Sequence, residues 1–398
     1  MLKRFLGYYA ILFLIIIWSF YFKSYELLFL SVFVLLLPIV NVFVINYSIK
    51  RINVKHYIKS SIMNKGEYIP IEIVINNKGI LPVAILDLEF KCNNLYQNVS
   101  KNINFAVPVL KYGKQEYVFY IKSDHCGDVE IILENIKCMD YFELYYVRKS
   151  IKKGEKIYIL PQIGAVEDIS INTKTNVDID GEKFSEVKPG DDPSQVFDFR
   201  EYHPGDKLHS IHWKLSARRG NYMVKEYSLP LNGNYCILMD LGCKIDSNRC
   251  NIIDAITETA FTITLRLQEE GINHYFIGRE RYGDACYKDI IEYDLSLTDT
   301  MFELYKGMYK SNSDLLDILC NMENNNNESR VYYITSNINE KSIIKLSEIF
   351  KKAYIDIIFI GDKSRFNEKY MSLAQSYDYN VDFISIDNSY EDIAQLEL

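Results

Sequence analysis

The chain has 398 residues, of which 48% are hydrophobic and 25% charged, and a formal charge of −8. That length accommodates two or three domains, and the acidic balance excludes wholesale nucleic-acid binding. The eight cysteines are scattered with no CxxC pair, which excludes a zinc ribbon and a thioredoxin motif and fits free thiols in a reducing compartment.

Phe5 to Phe22 carries no charge, and after Lys23-Ser24-Tyr25-Glu26 a second apolar run extends from Leu27 to Asn46. Each run is long enough to cross a hydrocarbon core of roughly 30 Å. The short break predicts a transmembrane hairpin over residues 1–50, with spans at about 5–22 and 27–46. Trp18, Tyr21 and Tyr25 suit an aromatic belt. A cleavable signal peptide is disfavoured, because the first run is too long and a second span follows at once. Lys3 and Arg4 precede the first run, and Lys50, Arg51 and Lys55 follow the second. This asymmetry predicts a two-pass protein of the cell membrane with both termini and the soluble domains in the cytoplasm.

From 51 to 162 the pattern has period two. Ile69, Ile71, Ile73 and Ile75 share one face, then Asn77-Lys78-Gly79 turns the chain. Leu86, Leu88 and Phe90 alternate with Asp87, Glu89 and Lys91. Several such short strands predict an all-β, immunoglobulin-like sandwich. The basic run 148–156 is expected as a solvated hairpin loop, with contact to anionic lipid headgroups as the alternative.

Residues 163–233 read as a linker carrying a distinctive segment. From 234 to 398 strands and helices alternate, which predicts a doubly wound α/β domain with a parallel sheet. Ile253, Ile256, Ala260, Ile263 and Leu267 fall on one helical face, and Gly271 stops that helix. A further helix is expected near 299–322, one starting at Asn339 and one near 364–377. Neither GxGxxG nor GxxxxGK[ST] occurs. Ligands of such sheets sit beyond the strand ends, and the first strand ends at Asp240. A von Willebrand factor A domain carries Asp-x-Ser-x-Ser there to hold a cation. Here the serine positions are Gly242 and Lys244, and the later loop reads Thr335-Ser336-Asn337. Hard cations need several oxygen ligands, so a degenerate, metal-free scaffold is expected, with no cofactor.

The stretch Glu201 to Gly220 holds three of the six histidines and one of the two tryptophans. Four readings compete. A metal site would use His203, Asp206, His209 and His212, but the alternation through 208–213 looks like a strand and splits His209 from His212. A catalytic reading would pair Asp206 with a histidine, but Ser216 lacks the glycines of a nucleophile elbow. An anion site would use Lys214, Arg218, Arg219 and Lys225 near Pro204-Gly205. The favoured reading is an interdomain clasp and docking edge, with Trp213 as a buried apolar anchor and Arg200, Asp206 and Arg218 as its charged network.

Arg200, Tyr202, Gly205, Asp206, then Trp213, then Ser216-Ala217-Arg218, then Lys225 together resemble the signature of domain-of-unknown-function family 58. Asp140-Tyr141-Phe142-Glu143-Leu144-Tyr145 is similar to a second trace of that family, Asp-Pro-Phe-Gly-Leu-Phe. The lost Pro and Gly predict a looser turn. The resemblance covers the whole architecture. It implies a hairpin anchor, a sandwich and a degenerate von Willebrand A-like domain with no established activity. It also implies a MoxR-type AAA+ ATPase as companion, often beside a transglutaminase-like membrane protein. A non-enzymatic scaffold working on envelope-associated complexes is therefore the expected function. An enzyme or a metal-dependent ligand-binding module, built on the 200–218 cluster or on Asp240, is the rival.

Overall fold

The computed structural model describes residues 2–162, 184–190, 192–201, 211–230, 235–243, 247–281, 285–307, 315–320, 328, 330–351, 353–361, 368–386, 392–393 and 396. The chain divides into two compact units, Met1–Pro161 and Gln162–Leu398.

In the first unit, α1 (Leu2–Phe22) and α2 (Tyr25–Arg51) form an apolar helical pair. The break between them is only Lys23-Ser24, shorter than expected. Ser24 is the N-cap of α2 and accepts the Leu27 N–H at 3.5 Å. Tyr25 and Glu26 are thereby drawn into the helix, where Glu26 complements the positive end of its dipole. At the other end α2 runs past Asn46 to Lys50 and Arg51, which complement the negative end. Most large side chains of both helices are exposed, Phe13, Phe20, Phe33 and Phe43 among them.

The rest of this unit is β-structure in two sheets. β1 (Ile52–Ile58), β3 (Tyr68–Asn77) and β6 (Gly113–Lys122) form an antiparallel sheet in the order β1-β3-β6. β2 (Ile62–Asn64), β4 (Val83–Asn94), β5 (Val99–Val109), β7 (Gly127–Met139) and β8 (Tyr146–Leu160) form the other, in the order β2-β8-β7-β4-β5. The period-two pattern explains why both sheets share one core. Ile71, Ile73 and Ile75 from one and Leu86, Leu88 and Phe90 from the other are almost wholly buried in it.

Two expectations need correction here. The basic run 148–156 is not a loop but the middle of β8, paired with β7 through a bulge between Leu133 and Asn135. The lysines sit on a strand because Val147, Ile151 and Ile157 still alternate towards the core. The 140–145 turn is not loose either. The Asp140 N–H donates to Tyr145 O at 3.1 Å, and the Tyr145 N–H returns to Asp140 Oδ1 at 3.0 Å. Glu143 takes the left-handed conformation (φ 53°) where the related motif has Gly.

The second unit opens with β9 (Phe184–Gly190), β10 (Asp192–Glu201) and β11 (Met223–Pro230), in the order β10-β11-β9, with α3 (Trp213–Arg219) inserted before β11. The segment expected as a linker thus carries its own sheet. A six-stranded sheet follows, built from β12 (Tyr235–Met239), β13 (His274–Arg279), β14 (Cys286–Ile291), β15 (Arg330–Thr335), β16 (Tyr354–Ile360) and β17 (Asn380–Ile384). Its order is β14-β13-β12-β15-β16-β17, and every neighbouring pair is parallel except β13 with β14. The helices are α4 (Arg249–Glu269), α5 (Leu297–Leu304), α6 (Leu315–Cys320), α7 (Glu340–Ile349) and α8 (Glu368–Ser376). The single helix expected near 299–322 is therefore two, while Asn339 caps α7 as its position suggested. α4 packs on β12, β15 and β16. Its expected apolar face is fully buried, but so are Asp254, Thr257, Glu258 and Thr262 around the rest of it. Leu316 and Leu319 of α6, with Ile343 and Leu346 of α7, pack against Leu238, Tyr333 and Ile357 of the sheet.

Candidate functional site

The parallel sheet grows outwards in both directions from β12, so its topological switch point lies between β12 and β15, where α/β sheets place ligands. Asp240 stands there, directly after β12, and it is buried. Its carboxylate is turned inward and is bonded on both oxygens. Oδ1 accepts the Gly242 N–H at 2.9 Å, while the Tyr333 and Thr335 hydroxyls each donate to Oδ2 at 3.1 Å. The Asp240 N–H donates to Ile334 O at 3.0 Å, and Thr335 Oγ1 in turn accepts the Asn337 N–H at 3.1 Å. This is a knot that ties the end of β12 to the end of β15. Tyr333 and Thr335 were not foreseen as its donors, because they come from a strand far along the chain. Lys244 lies outside the described residues. Among the described residues no three His, Cys, Asp or Glu side chains gather as a metal-ligating group.

The second place is α3. Sequence spacing predicts a strand through 208–213; residues 208–210 lie outside the described residues, Ile211 bridges Val224 of β11, and a helix begins at Trp213. The cause is His212, whose Nδ1 accepts the Leu215 N–H at 3.0 Å and caps the helix start. Gly220, at φ 78°, ends the helix, and its N–H donates to Ser216 O. Ser216 is buried and stitches the helix to β11: its hydroxyl donates to His212 O at 3.0 Å and accepts the Met223 N–H at 2.8 Å. His212 and Ser216 are thus engaged in local structure, in keeping with neither a metal ligand nor a free nucleophile.

Trp213 is the residue expected to anchor an interdomain clasp. It is 64% exposed and is no buried anchor within its unit. As the first residue of a two-turn helix whose inner side is Ser216, it points outward and meets the edge of the Tyr222 ring, centroids 6.3 Å apart. Tyr222 is itself exposed. Lys214, Arg218 and Arg219 are exposed beside them, and Lys225 is half-buried. Arg200 lies on β10, opposite Val224 of β11, and Ala217 lies within α3. Tyr202, His203, Gly205, Asp206 and His209 lie outside the described residues, and with them the expected Asp206–Arg218 pair. The segment belongs wholly to the second unit.

Nucleophilic chemistry by cysteine needs a thiolate. Burial instead pushes the Cys92 and Cys286 thiols up to about 11 and Cys138 to about 12, and raises Cys236 as well. These four are neutral packing groups.

The second unit is therefore an α/β unit whose switch point is closed by hydrogen bonds and whose exposed chemistry lies on a short capped helix. The family described as "Protein of unknown function DUF58" matches residues 198–273, from β10 through α4. No curated protein matches the chain. Among solved structures, β-glucosidase from Listeria innocua matches with 9% identity over 27% of this chain and 16% of its own, at a TM-score of 0.21. The CARDB domain of the PF1109 protein from Pyrococcus furiosus matches with 11% identity over 27% of this chain and 91% of its own, at 0.19. Spo0M, a sporulation control protein from Bacillus subtilis, matches with 9% identity over 28% of this chain and 50% of its own, at 0.20. Likenesses at this level assign no fold or activity, and this chain spans only a small part of the β-glucosidase.

Proposed function

We propose that this protein is a membrane-anchored scaffold that performs no chemistry itself and presents the α3 patch to a protein partner. α1 and α2 are long and apolar enough to span a bilayer, and this reading makes them the anchor. In this reading Lys3, Arg4, Lys50 and Arg51 favour a cytoplasmic side for both termini and both units. In the same reading the two-sheet region is an immunoglobulin-like sandwich. The six-stranded unit is a von Willebrand A-like domain in which the bonds around Asp240 replace a cation. The family resemblance supplies the partner, a MoxR-type AAA+ ATPase, with a transglutaminase-like membrane protein as a further member of the assembly.

The observation that carries this reading is the exposure of Trp213, Lys214, Arg218 and Arg219 on a capped helix, with exposed Tyr222 in the turn that follows it. Trp, Tyr and Arg are the residues in which binding energy concentrates at protein interfaces. Holding them out of the core on a stitched helix pre-organises them for contact. The test uses full-length protein in lipid nanodiscs and the purified ATPase. Trp213→Ala with Tyr222→Ala, and separately Arg218→Glu with Arg219→Glu, should each weaken binding about tenfold or more. Wild-type binding by both variants would overturn the proposal.

A further inference from the structure

The strand register of the first unit sorts its loops into two sets. Ile52, the residue after α2, pairs with Asn77, and Asn77 pairs with Gly113. Val83 pairs with Val109, and Met139 with Tyr146. The loops 78–82, 110–112 and 140–145 are therefore all at the end where the helical pair joins the sheets. The turns 59–67, 95–98 and 123–126 are at the opposite end.

The two ends differ in what they expose. At the helical end, Ile80 is 52% exposed, Leu110 64% and Tyr112 63%, and Tyr141, Phe142 and Tyr145 are exposed too. At the far end the three turns expose Lys59, Ser61, Asn64, Gly66, Glu67, Asn98 and Asp124, their one large ring, Tyr96, is wholly buried, and a single exposed ring, Tyr68 (62%), follows the first turn directly. Basic residues accompany the apolar ones. Lys78 and Lys111 are exposed within the loops, Lys3 and Lys50 lie at the helix ends, and Lys149 donates to Ile52 O at 3.2 Å.

The loops are also fastened to one another and to the helices. Asn77 donates to Leu81 O and Leu110 O and accepts the Gly79 N–H, and the Tyr112 N–H donates to Gly79 O. The Lys78 N–H donates to Arg51 O at 3.2 Å. A Cβ at Gly79 would come within 3.4 Å of Arg51 and 3.5 Å of Tyr47, so this loop lies directly against α2. Glu143 forms an ion pair with Arg4 of α1, and the Phe142 ring lies 6.0 Å from Tyr8. The left-handed Glu143, unfavourable for a residue with a Cβ, thus carries a contact to the helix that glycine could not make.

We propose that this rim is a lipid-binding surface, seated in the headgroup layer of the bilayer that α1 and α2 enter and selective for anionic phospholipid headgroups. Tyrosine and other amphipathic rings belong at that depth, and exposed lysines at the surface attract anionic lipid. The rim leads straight into the anchor helices, so the bilayer is the occupant that continuity selects. The inference rests on the reading of those helices as a membrane anchor.

The experiment uses the full chain in nanodiscs of equal phosphatidylcholine and phosphatidylglycerol, with photoreactive p-benzoylphenylalanine in place of Phe142. Tyr112 serves as a second site should the first variant fail to fold. Tyr120, exposed near the opposite end of β6, is the control. Irradiation should yield phospholipid adducts at 142 and 112, at least about fivefold above those at 120. Phosphatidylglycerol should be enriched among the adducts by about fivefold, and Lys78→Gln with Lys111→Gln should return it to the bulk ratio. Adducts no more frequent at 142 and 112 than at 120, or adducts to protein in place of lipid, would overturn the inference. Equal capture of the two lipids would overturn the headgroup selectivity. Flotation with vesicles separates the two readings. A chain that does not float refutes the anchor, whereas one that floats without rim adducts refutes the rim alone.

Discussion

Asp240 and Trp213 both lie in the span 198–273 and sit at the two places where a reader of the sequence would look for chemistry, yet solvent meets them in opposite ways. Asp240 is buried, and both of its oxygens accept bonds from the protein itself. Trp213 is exposed, and the polar groups that hold its helix are used up beneath it. The contrast separates a residue that maintains the fold from one that the fold displays. A carboxylate already saturated by internal donors has little left to offer a ligand. A ring held out of the core is unfavourably solvated until something covers it. Substitutions should therefore fall on opposite sides: stability at Asp240, and association at Trp213.

The largest effect is expected from Asp240→Ala. It leaves the Gly242 N–H and the two hydroxyls of Tyr333 and Thr335 without their acceptor. At about 1–3 kcal/mol for each buried group left unpaired, partly relieved by rotation of the hydroxyls, the loss should be about 3 kcal/mol or more. Asp240→Asn keeps one acceptor oxygen and should lose about half as much. Denaturant titration of the full chain in detergent measures both. Stoichiometric Mg²⁺ binding that disappears in Asp240→Ala would reverse the assignment of this residue to the fold.

An effect of similar size should come from pH through His274. This imidazole is wholly buried at the start of β13, its Nδ1 3.3 Å from Ile272 O and its Nε2 without a hydrogen-bond partner among the described residues. Burial pushes its pKa down to about 4. Above pH 6.5 the ring is neutral in both folded and unfolded chains and makes no difference. Between about 6.5 and 4 the unfolded chain binds a proton that the folded one refuses. Stability therefore falls with pH, by about 3 kcal/mol across that window. The difference between wild type and His274→Leu should be level above pH 6.5 and change steadily below it. A difference that stays level down to pH 4 would refute the neutral, buried histidine.

Much of the fold is legible in the residues, for identifiable reasons. Two uncharged runs can hardly be anything but long apolar helices, and Ile69 to Ile75 can hardly alternate so strictly without a sheet. What escapes is whatever depends on a partner distant along the chain. Nothing near Asp240 announces Tyr333 and Thr335, which reach it only because β15 lies beside β12. The strand β14 hides because Lys288 and Asp289 interrupt its apolar pattern, and it is held by its antiparallel pairing with β13. The strand-like pattern stops short at His212 for a local reason, since His212 acts as a helix cap and histidine is not a usual one. Aromatic size suggests burial for Trp213, and only the helix phase set by that cap turns the ring away from the core of its own unit. The apolar rim of the first unit becomes visible only once register has grouped three loops at one end.

A smaller loss is expected at Ser216, which belongs to the supporting side of the comparison although it lies only three residues from Trp213. Ser216→Ala removes the donor to His212 O and leaves the buried Met223 N–H unpaired. The cost should be about 1–2 kcal/mol, read as a shift of the denaturation midpoint. Partner binding should persist at temperatures where the variant is folded. A nucleophilic serine would show the reverse, with function lost and stability unchanged.

The smallest effect on stability is expected at the patch itself, and it is the sharpest test of the comparison. Trp213 and Tyr222 meet edge-on and both are more than half exposed, so Trp213→Ala with Tyr222→Ala removes little packing. Exposed substitutions away from caps and cores usually fall within about 0.5 kcal/mol. Trp213 occupies the first helical position, but the cap bonds come from His212 and Ser216 and survive the change. Alanine also favours the helix slightly more than tryptophan does. The double variant should therefore unfold at the same denaturant concentration as wild type while losing its partner. If instead it is destabilised by 2 kcal/mol or more, these rings are covered within the folded chain. Trp213 would then join Asp240 as a residue that the fold consumes, and the docking role would have to move to another surface.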